Sequence, residues 1–182
     1  MVCVLRRPVA AYLSEKQMDK PTPTAAVFAG LVDLASADLG GEALDCSDDF
    51  FAGMNHLVCS APAVFDPTAY TERGKLMDGW ESRRKRVPGH DWCIVKLGVA
   101  GLVRGVDIDT AHFLGNHPPY GSVEAIHVPE GTDLAALRTE LEWTEIVPAS
   151  PLQRGSQNIQ VASVLGVWTH VRLRIYPDGG VA

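Results

Sequence analysis

A first group of side chains that could bind an anion and move protons lies in one stretch, residues 77–92. Arginine presents a planar fork that matches a carboxylate, and glutamate and histidine can transfer protons. We therefore interpret the arginines of this stretch as candidate anion-binding residues, and Glu81, His90 or Asp91 as candidate proton-transfer groups. The alternative is a solvated run of charges beside two core tryptophans, which is the better interpretation for each of the four basic residues 83–86 taken singly.

A second polar stretch, residues 107–119, begins in a predicted strand and continues into a loop. Asp107 and Asp109 leave this strand on the same face. Asp109 or His112 could act as a general acid or base, and Asn116 could donate a hydrogen bond to a substrate carbonyl. The alternative is a turn in which Asp109 only caps backbone amides. Histidine and aspartate also suit a metal, but the spacing matches no specific metal motif, so the sequence favours plain hydrogen bonding.

The third group forms the outward face of the most regular strand pattern in the chain, residues 169–176. Two arginines on this face lie about 7 Å apart by strand rise, so they could clamp a carboxylate. They could instead pair with Asp107 and Asp109 if the two strands are neighbours, and we expect at least one arginine to pair with an acid. The outward row consists of His170, Arg172, Arg174 and Tyr176.

The composition of the chain limits the classes of partner that it can bind. The chain of 182 residues has 16 Lys and Arg against 22 Asp and Glu, which gives a net charge of −6. Because phosphate backbones and anionic lipids require an excess of cations, we expect neither nucleic acid nor a membrane as partner. No apolar run approaches the ~20 residues of a membrane span. The four cysteines have no CxxC spacing, which indicates reduced thiols in a cytoplasmic protein.

Short elements joined by turns must position these groups. Residues 42–79 carry turn residues throughout and predict irregular structure with short strands. Alternation of apolar and polar residues then predicts strands at 91–98, 102–109, 122–128 and 169–176. Strands separated by Gly and Pro loops indicate an all-β antiparallel sandwich or barrel, and the absence of a strand-then-helix rhythm argues against a doubly wound α/β fold.

The two ends of the chain have their own signals. A short helix is predicted from Thr24 to Gly40, because apolar residues fall on one face and a double glycine ends it. Residues 1–22 are predicted to be a leader or disordered segment, and residues 23–182 a single domain. The turn signal at 177–180 requires a partner strand, so we expect a truncated chain whose open edge could pair with a second copy.

Three long stretches resemble the signatures of allantoicases (allantoate amidinohydrolases) and follow one another in the order found in that family. These stretches are 77–92, 106–125 and 168–182, with shorter matches at 33–36, 39–41 and 47–52. The resemblance extends from about residue 31 to the C-terminus. It departs at Asn55–Cys59, where relatives usually carry Asn-Leu-Leu-Lys-Pro. It also departs at His112, where an aromatic is common, so His112 is a poor candidate for a role shared by the family.

The resemblance implies a jelly-roll β-sandwich of the galactose-binding or discoidin-like type, with this chain as the first of two repeats usual in the family. It also implies a hydrolase acting on linear amidines, which converts allantoate and water to ureidoglycolate and urea in purine and allantoin degradation. The alternative is a catalytically inactive single-repeat module that only binds a ligand, since fold alone does not give function. No cofactor is required, although a divalent metal could polarise the ureido oxygen.

This reaction suggests roles for the groups above. The carboxylate of allantoate must be held, urea must be protonated as it leaves, and water must be activated. Histidines would serve as the acid and carboxylates as the base. The candidate catalytic residues are Asp109, Glu81, His90 and His170. The candidate substrate-binding residues are Arg84, Asn116, Glu124, Arg172 and Tyr176.

Overall fold

The structure, a computed structural model, describes Phe28 and residues 30–182, so the predicted leader lies outside the described residues. In chain order the strands are β1 (Glu42–Cys46), β2 (Tyr70–Thr71), β3 (Gly74–Lys75), β4 (Trp80–Glu81), β5 (Asp91–Leu102), β6 (Gly105–Asp107), β7 (Tyr120–Ile126), β8 (Thr144–Pro151), β9 (Ile159–Val161), β10 (Val167–Tyr176) and β11 (Gly180–Val181). The helices of the described part are α1 (Leu134–Thr139) and two 3-10 helices, Ala37–Leu39 and Met54–Val58.

The largest sheet has five antiparallel strands in the order β1-β5-β10-β7-β8. On the central strand β10, the alternating residues Val171, Leu173 and Ile175 are fully buried. They share one core with Trp80 and Val181 from the small β4–β11 sheet, which lies against the large one. Burying an aliphatic side chain of this size contributes about 1.5–3 kcal/mol. The predicted antiparallel sandwich is confirmed.

The other face of the large sheet is partly covered by α1. Leu137 of this helix packs against Ile94 of β5 in a second apolar cluster. An ion pair between Arg138 and Asp45 joins the helix to the edge strand β1. As a result the outward row of β10 is not an open face, and the Arg172 side chain is only 13% exposed.

Three of the four predicted strands are confirmed with shifted bounds, as β5, β7 and β10. The predicted strand 102–109 is shorter, because only β6 pairs, and its partner is β9. The sequence analysis assigned no element between 129 and 168, where the structure has α1, β8 and β9. In β8 the adjacent residues Ile146 and Val147 are both buried, and this breaks the alternation by which a strand is recognised.

The helix predicted over 24–40 is absent from the described part of that segment, where residues 30–40 contain only the 3-10 helix Ala37–Leu39. The carbonyl of Leu34 accepts a hydrogen bond of 2.8 Å from the backbone N–H of Gly98 in β5. This bond connects the backbone to the sheet instead of to the next turn of a helix. The irregular structure predicted for the following region is confirmed, with β1 to β3 as its short strands.

After β10 the chain bends into β11, which pairs with β4 instead of forming a hairpin with β10. Strand β11 pairs with β4, so that Gly180 lies opposite Glu81. The backbone N–H of Gly180 also donates to the carbonyl of Asn116 at 2.8 Å. These bonds bring the end of the last long strand together with the two polar stretches at 77–92 and 107–119.

Gly180 lies where a side chain has no room, because a Cβ there would overlap the buried ring of Phe113. We expect Gly180→Ala to lower the free energy of unfolding by about 1–3 kcal/mol, the usual effect of overpacking. Gly53→Ala is the matched control, since nothing lies within 4 Å of a Cβ at that position. Urea denaturation of both variants checks this, and an equal effect at the two positions would contradict it.

Candidate functional site

The candidate site is a surface pocket of about 410 Å³ at the end of the sandwich where these stretches meet. Its wall combines one carboxyl, one amide, two cations, an imidazole and several apolar side chains. The polar residues that line it are Arg73, Lys75, Glu81, His112 and Asn116. Such a mixture can hold a small polar molecule and offer it both a proton donor and a charge partner.

Glu81 and Asn116, two of the predicted site residues, are brought together in this pocket. The Nδ2 group of Asn116 donates to Oε1 of Glu81 at 2.5 Å. Burial raises the pKa of Glu81 and outweighs the hydrogen bond from Asn116, which lowers it. Glu81 therefore retains its proton to a higher pH than an ordinary glutamate, which is the property expected of a general acid that becomes a base after donating.

The cations of the pocket come from the short hairpin β2–β3. The Lys75 ammonium lies 4.6 Å from the ring centre of Phe65 and 4.9 Å from that of Tyr70. The guanidinium of Arg73 lies 4.7 Å over the ring of Phe50. These aromatic contacts hold two positive charges in the wall of the pocket that Glu81 also lines. The sequence analysis missed both residues, because the only local signal is a two-residue connection within a turn-rich region.

His112 also lines the pocket, although the sequence analysis set it aside as a catalytic residue. Its backbone has φ of 68°, in the left-handed region. The ring stacks on Phe65 at 5.8 Å between ring centres, and Nε2 lies 3.2 Å from the carbonyl oxygen of Ala63. These contacts are those of a side chain that supports the pocket wall.

Asp109 and Arg84 lie outside the pocket. Asp109 is buried, and its Oδ1 accepts a hydrogen bond of 2.8 Å from the backbone N–H of Ala111. This is the capping role that the sequence analysis gave as the alternative for Asp109. Arg84 is exposed on the charged run after β4. Neither residue is among those that line the pocket.

Arg172 and Glu124 form a separate group on the outward face of the large sheet. Arg172 Nε donates to Glu124 Oε2 at 2.8 Å, and Arg174 Nη2 lies 3.0 Å from the same oxygen. The prediction that at least one arginine pairs with an acid is confirmed. The acid is Glu124 rather than Asp107 or Asp109, because β7 and not β6 is the neighbour of β10.

His90 and Tyr176 belong to this outward group as well. Their ring centres are 5.0 Å apart, and the hydroxyl of Tyr176 lies 2.9 Å from Oγ of Ser122. Burial lowers the pKa of His90, and the positive charges of Arg174 and Lys85 lower it further. The neutral imidazole is thus favoured at this position.

His170 lies apart from both the pocket and the outward group. It is buried beside a cavity of about 400 Å³ that Lys96 and Glu130 also line. Tyr176 lies six positions further along β10, or about 20 Å away by strand rise. Burial, with a further contribution from the charge of Lys96, lowers the pKa of His170 to about 4. The structure does not bring His170 to the pocket.

Two further observations concern the described residues alone. Within them, no three or more His, Cys, Asp and Glu side chains are grouped in a way that could hold a metal ion. The expectation that no cofactor is needed stays a prediction. In the same residues, none of the helices has the length and apolar character needed to cross a bilayer.

The fold and the pocket define a β-sandwich protein with an ionisable, ligand-sized site among the loops at one end. The family model "Allantoicase repeat" matches residues 32–182, and the chain belongs to the allantoicase family. Its relatives include the "Probable allantoicase 1" of Burkholderia mallei, with 51% identity over 83% of this chain and 44% of that protein. The "Probable allantoicase" of Photobacterium profundum has 46% identity over 85% of this chain and 46% of that protein.

A solved structure supports the family assignment. The crystal structure of allantoicase from Saccharomyces cerevisiae has a TM-score of 0.69 and 33% identity to this chain. The match covers 83% of this chain and 46% of that one. The chain therefore spans a little under half the length of these relatives. The family that the sequence resembles is confirmed.

The buried His170 predicts a specific pH dependence of stability. Its pKa of about 4 lies below the ordinary 6.5, so the unfolded chain binds more protons between these values and stability falls as the pH is lowered from 6.5 to 4. The effect of this one group is on the order of 3 kcal/mol. We expect His170→Gln to reduce the acid-induced loss by that amount, measured by denaturant unfolding at several pH values. An unchanged pH slope would contradict this.

Proposed function

We propose that this chain supplies an allantoicase site, at which allantoate and water give ureidoglycolate and urea. Family membership supports the reaction class. At the level of residues, the observation that carries the proposal is the hydrogen bond between Asn116 and Glu81 inside a cationic pocket. A reaction of this kind belongs to purine and allantoin degradation in the cytoplasm. The free thiols Cys46, Cys59 and Cys93 suit a reducing compartment.

The pocket offers a complementary group for each part of allantoate, a carbon that carries one carboxylate and two ureido groups. Lys75 and Arg73 provide positive charge for the carboxylate. The amide of Asn116 and the carboxyl of Glu81 can hydrogen-bond to a ureido group. This assignment replaces the predicted carboxylate ligands, because Arg84 is exposed outside the pocket, and the other candidate arginine is paired on the outward face.

Bond cleavage begins with the proton of Glu81. The carboxylic acid donates this proton to the nitrogen of the leaving ureido group, and the C–N bond breaks with its electron pair going to urea. The lone pair of the other ureido nitrogen forms a C=N bond to the central carbon, so the intermediate is an iminium ion beside an ionised Glu81. The carboxylate stabilises that positive charge electrostatically.

Water addition completes the cycle. The Glu81 carboxylate takes a proton from water, the oxygen bonds to the central carbon, and the C=N electrons return to nitrogen. The product is ureidoglycolate, and Glu81 is again protonated. A single carboxyl group serves as acid and then as base, because the predicted acids His90 and His170 do not line the pocket. Glu124 is occupied by two arginines.

The isosteric variant Glu81→Gln tests the central role. It keeps an oxygen that can accept the hydrogen bond from Asn116 but cannot transfer a proton, so we expect urea release from saturating allantoate to fall at least ~100-fold. Stability should be unchanged or higher at neutral pH. The reason is that a raised folded-state pKa makes ionisation of Glu81 unfavourable for folding, and stability is lost as pH rises through that pKa.

Glu142→Gln, at an exposed glutamate of the segment before β8, is the matched control. Normal turnover by a folded Glu81→Gln protein would exclude the mechanism. If the unaltered chain binds allantoate in calorimetry but releases no urea, it is the ligand-binding module of the alternative interpretation.

Lys75→Gln tests carboxylate binding. Loss of a charged hydrogen-bond partner costs about 1.5–3 kcal/mol, so we expect KM for allantoate to rise by roughly tenfold or more with little change in kcat. Arg104→Gln removes an exposed cation from the connection between β5 and β6 and should leave KM unchanged. Steady-state urea release measures both, and equal KM values for the two variants would contradict the assignment.

A further inference from the structure

The outward face of the large sheet carries a positive charge that the adjacent carboxylate does not balance. Arg172 and Arg174 both contact Oε2 of Glu124, at 2.6 Å and 3.0 Å from their Nη2 atoms. The three side chains are 13%, 28% and 11% exposed, in that order. Two guanidinium groups and one carboxylate leave one unit of positive charge in a partly buried place, where charges are costly unless paired.

The two arginines are not equally satisfied. Arg172 donates to Glu124 through Nε, and its guanidinium also stacks on the ring of Trp143 at 4.6 Å. Arg174 contacts Glu124 only through Nη2, and its Nε is buried without a hydrogen-bond partner in the described structure. A buried donor left unpaired costs free energy. Arg174 is also the more exposed of the two, so its terminal N–H groups, unlike the buried Nε, can reach an acceptor in solution.

Other nearby charges do not supply the missing acceptor. Lys85 is paired with Asp91 at 2.6 Å, and Ser47 donates to the same oxygen at 2.8 Å. Asp178 accepts a hydrogen bond of 2.8 Å from the backbone N–H of Lys85. Glu145 lies opposite Glu124 on β8, two strands away from β10, and is exposed.

Neutral polar side chains lie close to Arg174 in the sheet. In the register of the sheet, Ser122 lies directly opposite Arg174. The Oγ of Ser122 is hydrogen-bonded to the hydroxyl of Tyr176. The imidazole of His90 packs on Tyr176. Burial lowers the pKa of His90, and the charges of Arg174, Lys85 and Arg172 lower it further, whereas the charge of Glu124 raises it. The two guanidinium groups beside one carboxylate leave a net positive charge in this group, which attracts an anion.

We propose that Arg174, His90 and the Ser122–Tyr176 hydroxyl pair form a binding site for a small oxyanion, a carboxylate or a phosphate. Arg174 supplies the charge and a planar pair of N–H donors, and the hydroxyls and the imidazole supply further hydrogen bonds. None of these residues lines the pocket that contains Glu81, so the site is separate from the proposed catalytic one. It binds its anion whether or not the chain releases urea.

The test is an anion titration of the complete chain, with its histidines carbon-13-labelled and their ring signals followed by NMR. Sodium acetate, inorganic phosphate and allantoate are added separately at constant ionic strength. We expect the His90 signal to shift with saturation for acetate or phosphate, and its titration midpoint to move upward. The His170 signal is the internal control and should not shift. A response that does not saturate, or equal shifts at both histidines, would overturn the proposal.

Variants identify the groups involved. Arg174→Gln should weaken anion binding about tenfold or more, whereas Arg83→Gln, at an exposed arginine paired with Asp48, should leave it unchanged. If the Arg174 variant does not fold, Tyr176→Phe removes one hydroxyl and should weaken binding several-fold. Undiminished binding in the folded variants would refute the site. So would a response seen only with allantoate and lost in Lys75→Gln, because it would then originate in the other pocket.

Discussion

The backbone pairing between β4 and β11 is the constraint on which the candidate site depends. It places the segment that follows β10 beside β4, the strand that carries Glu81, and the N–H of Gly180 bonds to the loop that carries Asn116. Without these main-chain bonds, the amide and the carboxyl would be on unrelated loops. Because main-chain hydrogen bonds are short and directional, they fix the separation of Glu81 and Asn116 more tightly than side-chain packing could. A ligand site built this way is largely preformed.

Burial and neighbouring groups, rather than residue type, decide what each ionisable group can do. Glu81 and Glu124 are both partly covered glutamates, yet one lies beside an amide and the other between two guanidinium groups. Burial drives the first towards its neutral acid form, whereas the second pairs with the two arginines. His90 and His170 are both favoured as neutral rings, for which desolvation is the main cause. None of these differences is visible in composition or spacing.

The sequence predicted the strands whose alternation is regular and the family to which the chain belongs. It also named Glu81 and Asn116 as candidate site residues, in two separate polar stretches, because a glutamate can transfer protons and an amide can donate a hydrogen bond. It misplaced the helix near residues 30–40, where a main-chain bond to β5 overrides the local apolar period. The structure places the other candidate residues on separate surfaces. The sequence did not predict this separation, because strand order cannot be read from local patterns. That order makes β7 the neighbour of β10 and sends β6 to β9.

The cationic wall of the pocket belongs to the β2–β3 hairpin, whose two strands have only two residues each. An isolated two-stranded ribbon is marginally stable, and this one depends on the contacts of its lysine and arginine with aromatic rings. The positive charge of the pocket wall is thus carried by a small ribbon whose own strand pairing contributes little stability. Removing one of these aromatic contacts would therefore loosen the cations while leaving in place the main-chain bonds that position Glu81 and Asn116.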